Sequence, residues 1–193
     1  MIIKENDKKK WGSALNILQN GGVAVCPAFT IYGFSSNLFN KHANLKIFSI
    51  KRRSSDNPFI IIAHREFIVS QAVDVDLDIL NFLLDNAITV IFKTKNPLPF
   101  YASKNRESAF RLSNTHFLKY ITRRFPITST SINKTGKKQM DTITKICRQY
   151  SHFSDIIING NIKNEPSTIV RIERDKIYIL RKGYNMIKLR GIL

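Results

Sequence analysis

Acidic residues are scarce in this 193-residue chain: 14 Asp and Glu stand against 31 Lys and Arg, a formal net charge of +17. A field of that sign attracts polyanions, so nucleic acid or nucleotide phosphate is the natural partner. Abundant lysine, isoleucine and asparagine from AT-rich coding would give the same imbalance, so the charge supports an anionic ligand without identifying one. Cysteine is rarer still. Cys26 and Cys147 alone exclude a disulfide-stapled scaffold and a Cys-rich metal site, and both read as small buried hydrophobes. No apolar run approaches the roughly 20 residues needed to cross a bilayer. The best, 60–63 and 156–158, are strand-sized, and the lysine-rich start over 1–10 has no apolar signal-peptide core. A soluble, cytoplasmic protein without membrane attachment is expected. Hydrophobic residues at 43% and charged ones at 23% exclude disordered, collagen-like and coiled-coil classes.

Familiar catalytic signatures are missing too. There is no G-x-G-x-x-G. Gly136-Lys137-Lys138 has no glycine five residues before it and no hydroxyl after Lys137, so it is not a P-loop. His42, His64, His116 and His152 are scattered, without H-E-x-x-H or partner cysteines at metal spacing, and read as surface or packing residues.

What remains is an alternation of helices and strands. Trp11, Leu15 and Leu18 recur at helical spacing until Gly21-Gly22. Strands are expected at 23–26 (broken at Pro27), 58–63, 87–93, 109–112, 126–131, 155–159, 168–172 and 176–180. Further helices are expected from Leu45 and Phe48 to the cluster Lys51-Arg52-Arg53, and near 77–84, 117–124 and 142–150. No repeat, low-complexity tract or linker divides the chain, so 1–193 reads as one α/β domain around a twisted sheet.

Several segments join small hydroxyl or amide residues to cations. Pro27-Ala28-Phe29-Thr30-Ile31-Tyr32-Gly33 follows a strand, where α/β proteins place ligands, though Pro and Gly also suit a plain turn. Lys51-Arg52-Arg53-Ser54-Ser55-Asp56-Asn57-Pro58 has three cations that could hold a triphosphate, or merely end a helix favourably. Alternation puts Ser129 and Ser131 on one strand face, and Asn133 to Gly136 suits a turn whose amides meet an anion, or a hydroxyl-rich loop. Ser167-Thr168 enters a strand and Arg181-Lys182-Gly183 leaves one.

Taken in order, these segments are more specific than any alone. The series Pro-x-x-Thr-Ile-Tyr-Gly, Lys-x-Arg-x-x-x-Asn-Pro, an isolated Arg111, Ser-x-Asn-x-x-Gly, Ser-Thr-Ile-Val and Leu-Arg-x-Gly resembles the YrdC-like threonylcarbamoyl-AMP synthase family from about residue 21 to 183. The stretch 44–58, with its leading Asn44, is especially similar. The resemblance implies a single-domain YrdC-like fold: a twisted mixed sheet with flanking helices and a basic concave cavity. It also implies synthesis of threonylcarbamoyl-adenylate and pyrophosphate from L-threonine, bicarbonate and ATP, with Mg2+ accompanying ATP. The product serves the threonylcarbamoyladenosine modification of tRNA through separate transfer proteins. By position, Lys51 and Arg53 would be catalytic, facing phosphates and carbamate. Arg53, Asn57, Ser131, Asn133 and Arg181 would bind ATP, and Thr30, Arg111 and Ser167 would bind threonine. No protein-held metal and no covalent nucleophile are expected. The sequence departs from the family pattern at Ala28 and Phe29, at Leu84-Asp85-Asn86-Ala87, at Leu112-Ser113 and at Ile62. The alternatives are a non-catalytic module binding double-stranded RNA or tRNA through the same basic cavity, or a carbamoyl-adenylate enzyme with another acceptor.

Overall fold

The computed structural model describes residues 1–54, 56–133 and 139–191. Ser55 of the basic cluster and residues 134–138, with Gly136 and Lys137-Lys138, lie outside the described residues. In chain order the elements are β1 (Ile2–Lys4), α1 (Trp11–Gln19), β2 (Ala24–Pro27), β3 (Tyr32–Asn37), α2 (Lys41–Lys51), β4 (Ile60–Ala63), α3 (Arg65–Gln71) and α4 (Leu77–Asp85). Then come β5 (Thr89–Lys93), β6 (Glu107–Leu112), α5 (His116–Thr122), β7 (Ile127–Ser131), α6 (Ile143–Tyr150), β8 (Ile156–Asn159), β9 (Ile169–Glu173) and β10 (Lys176–Arg181). The ten strands form one open mixed sheet in the order β1-β8-β2-β3-β7-β4-β6-β5-β9-β10.

Local sequence explains the helix limits. Trp11, Ala14 and Leu18 supply the buried stripe of α1, and Gly21 turns the chain at φ +84°. Asn40 caps α2 by accepting from Ala43 N at 2.9 Å, and Asp76 caps α4 by accepting from the amides of Asp78 and Ile79. One sheet face, with Val25, Phe34, Ile61, Val90, Phe110 and Val170, packs against Ile47, Ile68, Leu83 and Ile146 from α2, α3, α4 and α6. The opposite face packs Cys26, Ile62, Ile127 and Ile158 under Trp11, Leu18, Phe117 and Ile121 of α1 and α5. Burial pushes the Cys26 thiol up to about 12, as befits a core residue. The α1/α5 layer does not extend to β10, which leaves the far side of that face uncovered.

Three elements had no counterpart in the expectations: β1, α3 and β3. The stretch 27–33 is a tight hairpin rather than a strand-to-loop turn. Pro27 completes β2 opposite Tyr32, and Ala28 N donates to Ile31 O at 2.9 Å. In β3, Gly33, Ser35, Ser36 and Asn37 dilute the β propensity of Tyr32 and Phe34, yet the strand lies between β2 and β7. Ser36 Oγ lies 3.1 Å from Thr128 Oγ1 and Tyr32 OH donates to Gly160 O at 2.6 Å, whereas Ser35 Oγ is buried with no hydrogen-bond partner among the described residues. A side chain at Gly33 would come within 2.6 Å of Ser129 Oγ, so only glycine permits this strand spacing.

The edge strand β10 carries a bulge. Ile179 pairs with Val170, but Arg181 pairs with Ile169, so Leu180 is the extra residue. Simple alternation would put Arg181 with Ile177 and Ile179, which pack on the main core. The bulge turns it to the uncovered face instead.

Candidate functional site

The uncovered face forms a concavity of about 490 Å3 in the middle of the sheet. Its floor follows strand registry: Arg171, Ile91 and Ala109 lie side by side across β9, β5 and β6, and Ile60 adjoins Ser129 across β4 and β7. The walls come from the loop after α2, the turn before β6, the β2–β3 hairpin, and the Ser167–Arg181 pair.

Three guanidinium groups dominate it. Arg53 donates to Asn57 O (2.6 Å) and Pro58 O (3.2 Å), and lies over the Phe59 ring at 5.6 Å. Arg111 is 5% exposed and donates to Thr30 Oγ1 and Ala28 O, both at 2.8 Å. Arg181 donates twice to Ser167 O, at 2.7 and 3.1 Å. Among the described residues none of the three has a carboxylate partner, whereas Arg171 beside them pairs with Glu107 at 3.1 Å. Burial lowers the pKa of Arg53 and Arg181, and burial plus the charge of Arg181 takes Arg111 to about 10. Each remains cationic near neutrality. Desolvated charge without a counter-ion is costly, and an anion in the cavity would relieve that cost.

Lys51 stands behind this wall. It is 1% exposed, and its ammonium donates to Ser131 O, to Asn133 O at 2.9 Å and to Asn133 Oδ1 at 2.8 Å. Burial, aided by Arg53, brings its pKa down to about 7. The arrangement follows from the end of α2. Arg52 is left-handed (φ 50°, ψ 47°) and exposed, so the chain turns with Lys51 directed inward and Arg53 directed to the cavity. The leading Asn44 is fully buried: Nδ2 donates to Asn37 O and Asn40 O, and Oδ1 accepts from Thr128 Oγ1 at 2.6 Å. It fastens α2 to β7 and the end of β3.

Of the nine site residues expected from sequence, Arg53, Asn57, Arg111, Ser131, Ser167 and Arg181 line the cavity. Thr30, Lys51 and Asn133 form its supporting layer: Thr30 holds Arg111, and Asn133 Oδ1 also accepts from Ser131 Oγ at 2.8 Å. Gly183 has its reason here, because a Cβ would run into the Pro166 carbonyl and open the Arg181–Ser167 contact. Sequence reading missed Lys104, Glu107 and Arg171. The available signal was parity, since Glu107, Ala109 and Arg111 are two apart on β6, as are Ile169 and Arg171 on β9. Among the described residues, no group of three or more His, Cys, Asp or Glu is placed to hold a metal. No helix among the described residues is long and apolar enough to cross a membrane.

Residues 16–183 match the model of the Sua5–YciO–YrdC family, which is described as "Telomere recombination". The chain is 31% identical over 190 residues to a protein provisionally named threonylcarbamoyl-AMP synthase from Methanocaldococcus jannaschii, covering 94% of this chain and 89% of that one. It is 24% identical to the threonylcarbamoyl-AMP synthase of Pseudoalteromonas translucida, covering 90% and 98%. The fold superposes on P. abyssi Sua5 complexed with L-threonine with a TM-score of 0.88 at 19% identity. All of this chain is covered but only 60% of that one, so the chain spans less than two thirds of that protein. E. coli YciO superposes with a TM-score of 0.83 at 19% identity, over 100% of this chain and 97% of that structure.

Proposed function

Because the chain belongs to the Sua5–YciO–YrdC family, we propose that it is a threonylcarbamoyl-AMP synthase, a nucleotidyltransferase acting on L-threonine, bicarbonate and ATP. The observation that carries the reading is the trio Arg53, Arg111 and Arg181, without carboxylate partners among the described residues, around one cavity. The threonine amine joins bicarbonate, with loss of water, to give a carbamate. A carbamate oxygen then attacks the α-phosphorus of ATP, the bond to the bridging β-phosphate oxygen breaks, and pyrophosphate leaves. Nucleophile and electrophile are both anionic, so the protein's main task is to bring them together and neutralise their charge.

In this scheme Arg181, Ser131 and Asn57 hold the nucleotide, and Arg53 stands between phosphates and carbamate. Arg111, oriented by Thr30, takes the threonine side with Ser167. Lys51 keeps the 131–133 turn in place, and its charge adds to the field felt by the phosphates. Magnesium fits as a passenger on the triphosphate. The nearby carboxylates are engaged, Glu107 with Arg171 and Asp56 with Lys104 at 3.3 Å, so the residues suit no resident metal. A net charge of +17 favours RNA as macromolecular partner, consistent with delivery of the product to tRNA through transfer proteins.

The test incubates the purified protein with ATP, magnesium, bicarbonate and single amino acids. Threonine-dependent pyrophosphate release, with threonylcarbamoyl-AMP identified by mass, is expected. Pyrophosphate release indifferent to threonine would sink the assignment, and RNA binding without any turnover would favour the non-catalytic alternative.

A further inference from the structure

A second cavity of about 630 Å3 lies on the other side of the 28–30 hairpin tip, at the carboxyl ends of the parallel strands β1, β8 and β2. Ala28 faces the first cavity and Phe29 the second. Carboxyl ends of parallel strands are where open α/β sheets bind ligands, and the volume lies within the ~300–1,000 Å3 span of small-molecule sites. It is large for a lone ion or amino acid.

Three features show a built site rather than a gap between loops. Glu5, held in place by its backbone amide on Asn159 O at 2.8 Å, has a buried Oε1 with no hydrogen-bond partner. A side chain at Gly160 would run into the same carboxylate, so glycine there leaves the room it occupies. Phe29 is held at φ 63°, a costly conformation for an aromatic residue, which presents its ring to the cavity with Lys163 Nζ 5.5 Å from the ring centre. Around these, Lys4, Lys8 and Lys163 line the cavity, and none is in an ion pair among the described residues. Burial raises the Glu5 pKa, against a side-chain hydrogen bond from Thr115 and the charge of His116, both of which lower it. Three lysines beside one carboxylate make the lining positive.

We propose that this cavity binds a nucleotide whose base carries an exocyclic amine: the amine donates to Glu5 Oε1, the base lies against Phe29, and the phosphate sits among Lys4, Lys8 and Lys163. Each part answers an observation. An orphaned buried acceptor asks for an N–H donor, an aromatic face asks for a flat apolar ring, and a lysine cluster asks for a phosphate. The inference does not rest on the proposed synthase reaction.

The chain contains a reporter. Trp11 is its single tryptophan, it lines this cavity, and its indole Nε1 donates to Glu5 O at 2.8 Å. Titration with AMP should change Trp11 emission saturably. Purine riboside 5′-monophosphate lacks the amine and should bind at least tenfold more weakly, as should adenosine and inorganic phosphate tested separately. Lys163→Ala, an exposed position, should weaken AMP at least threefold with an unchanged melting temperature. Gly160→Ala should abolish the response, and Arg181→Ala in the first cavity should leave it unchanged. An adenylate trimer binding more tightly than AMP would make an RNA strand the source of the nucleotide, and the reverse order a free nucleotide. A flat titration at millimolar AMP, equal response to the amine-free analogue, or loss of response in Arg181→Ala would each overturn the proposal.

Discussion

At the residue scale, the cavity depends on charges held by carbonyl oxygens instead of carboxylates. Carbonyl contacts orient a guanidinium without neutralising it, so Arg53, Arg111 and Arg181 remain available to an anion. Arg181→Ala removes one charge-assisted contact to phosphate, worth ~1.5–3 kcal/mol. Turnover should fall at least tenfold, as read from threonine-dependent pyrophosphate release. Lys51 behaves differently because its ammonium is tied to the 131–133 carbonyls. With a folded-state pKa of about 7 against 10.5 for an unburied lysine, the unfolded chain binds the extra proton between those limits. Stability should therefore rise with pH across that window, while the burial penalty is fully present below it. A neutral amine keeps two N–H donors, so much of the tie survives at high pH. Lys51→Met should flatten this rise and lower the melting temperature at every pH, because buried carbonyls lose their donor. Melting curves from pH 7 to 10 on both proteins provide the check.

At the scale of elements, the end of α2 decides which way two cations point. Arg52 adopts the left-handed conformation that glycine enters without steric cost. Arg52→Gly should be neutral to stabilising, by up to about 1 kcal/mol, with turnover unchanged, as measured by urea unfolding and by the synthase assay. This is also where the sequence was most legible. Stop signals, apolar spacing and β-branched runs placed α1, α4, β5 and β8 within a few residues, since those elements bury apolar faces. β3 was illegible because its glycine and serines are paired on both sides by neighbours distant in sequence. The order of weak motifs brought Arg53, Arg111 and Arg181 forward. Arg171 and Glu107 stayed hidden, as their place depends on sheet registry, to which no single segment testifies.

For the whole molecule, excess positive charge should act on encounter more than on fold. If RNA binds, phosphate contacts release counterions, so affinity should fall more than tenfold between about 50 and 200 mM salt, with little sequence preference. Fluorescence anisotropy with unrelated RNAs measures both, and a salt-insensitive complex would contradict it. The bulge at Leu180 has a wider consequence, because it sets the phase of everything after it. A strand is a two-state counter, and the bulge leaves Leu180 uncounted, so Arg181 falls on the cavity face instead of the core. Removing Leu180 would leave a regular ladder with the arginine still opposite Ile169 and the Gly183 contacts still in step. Adding one residue between 180 and 181 would send the arginine back toward the core. The deletion should therefore retain ATP binding, measured by calorimetry, while the insertion loses it: at this edge the chain tolerates a missing residue better than an extra one.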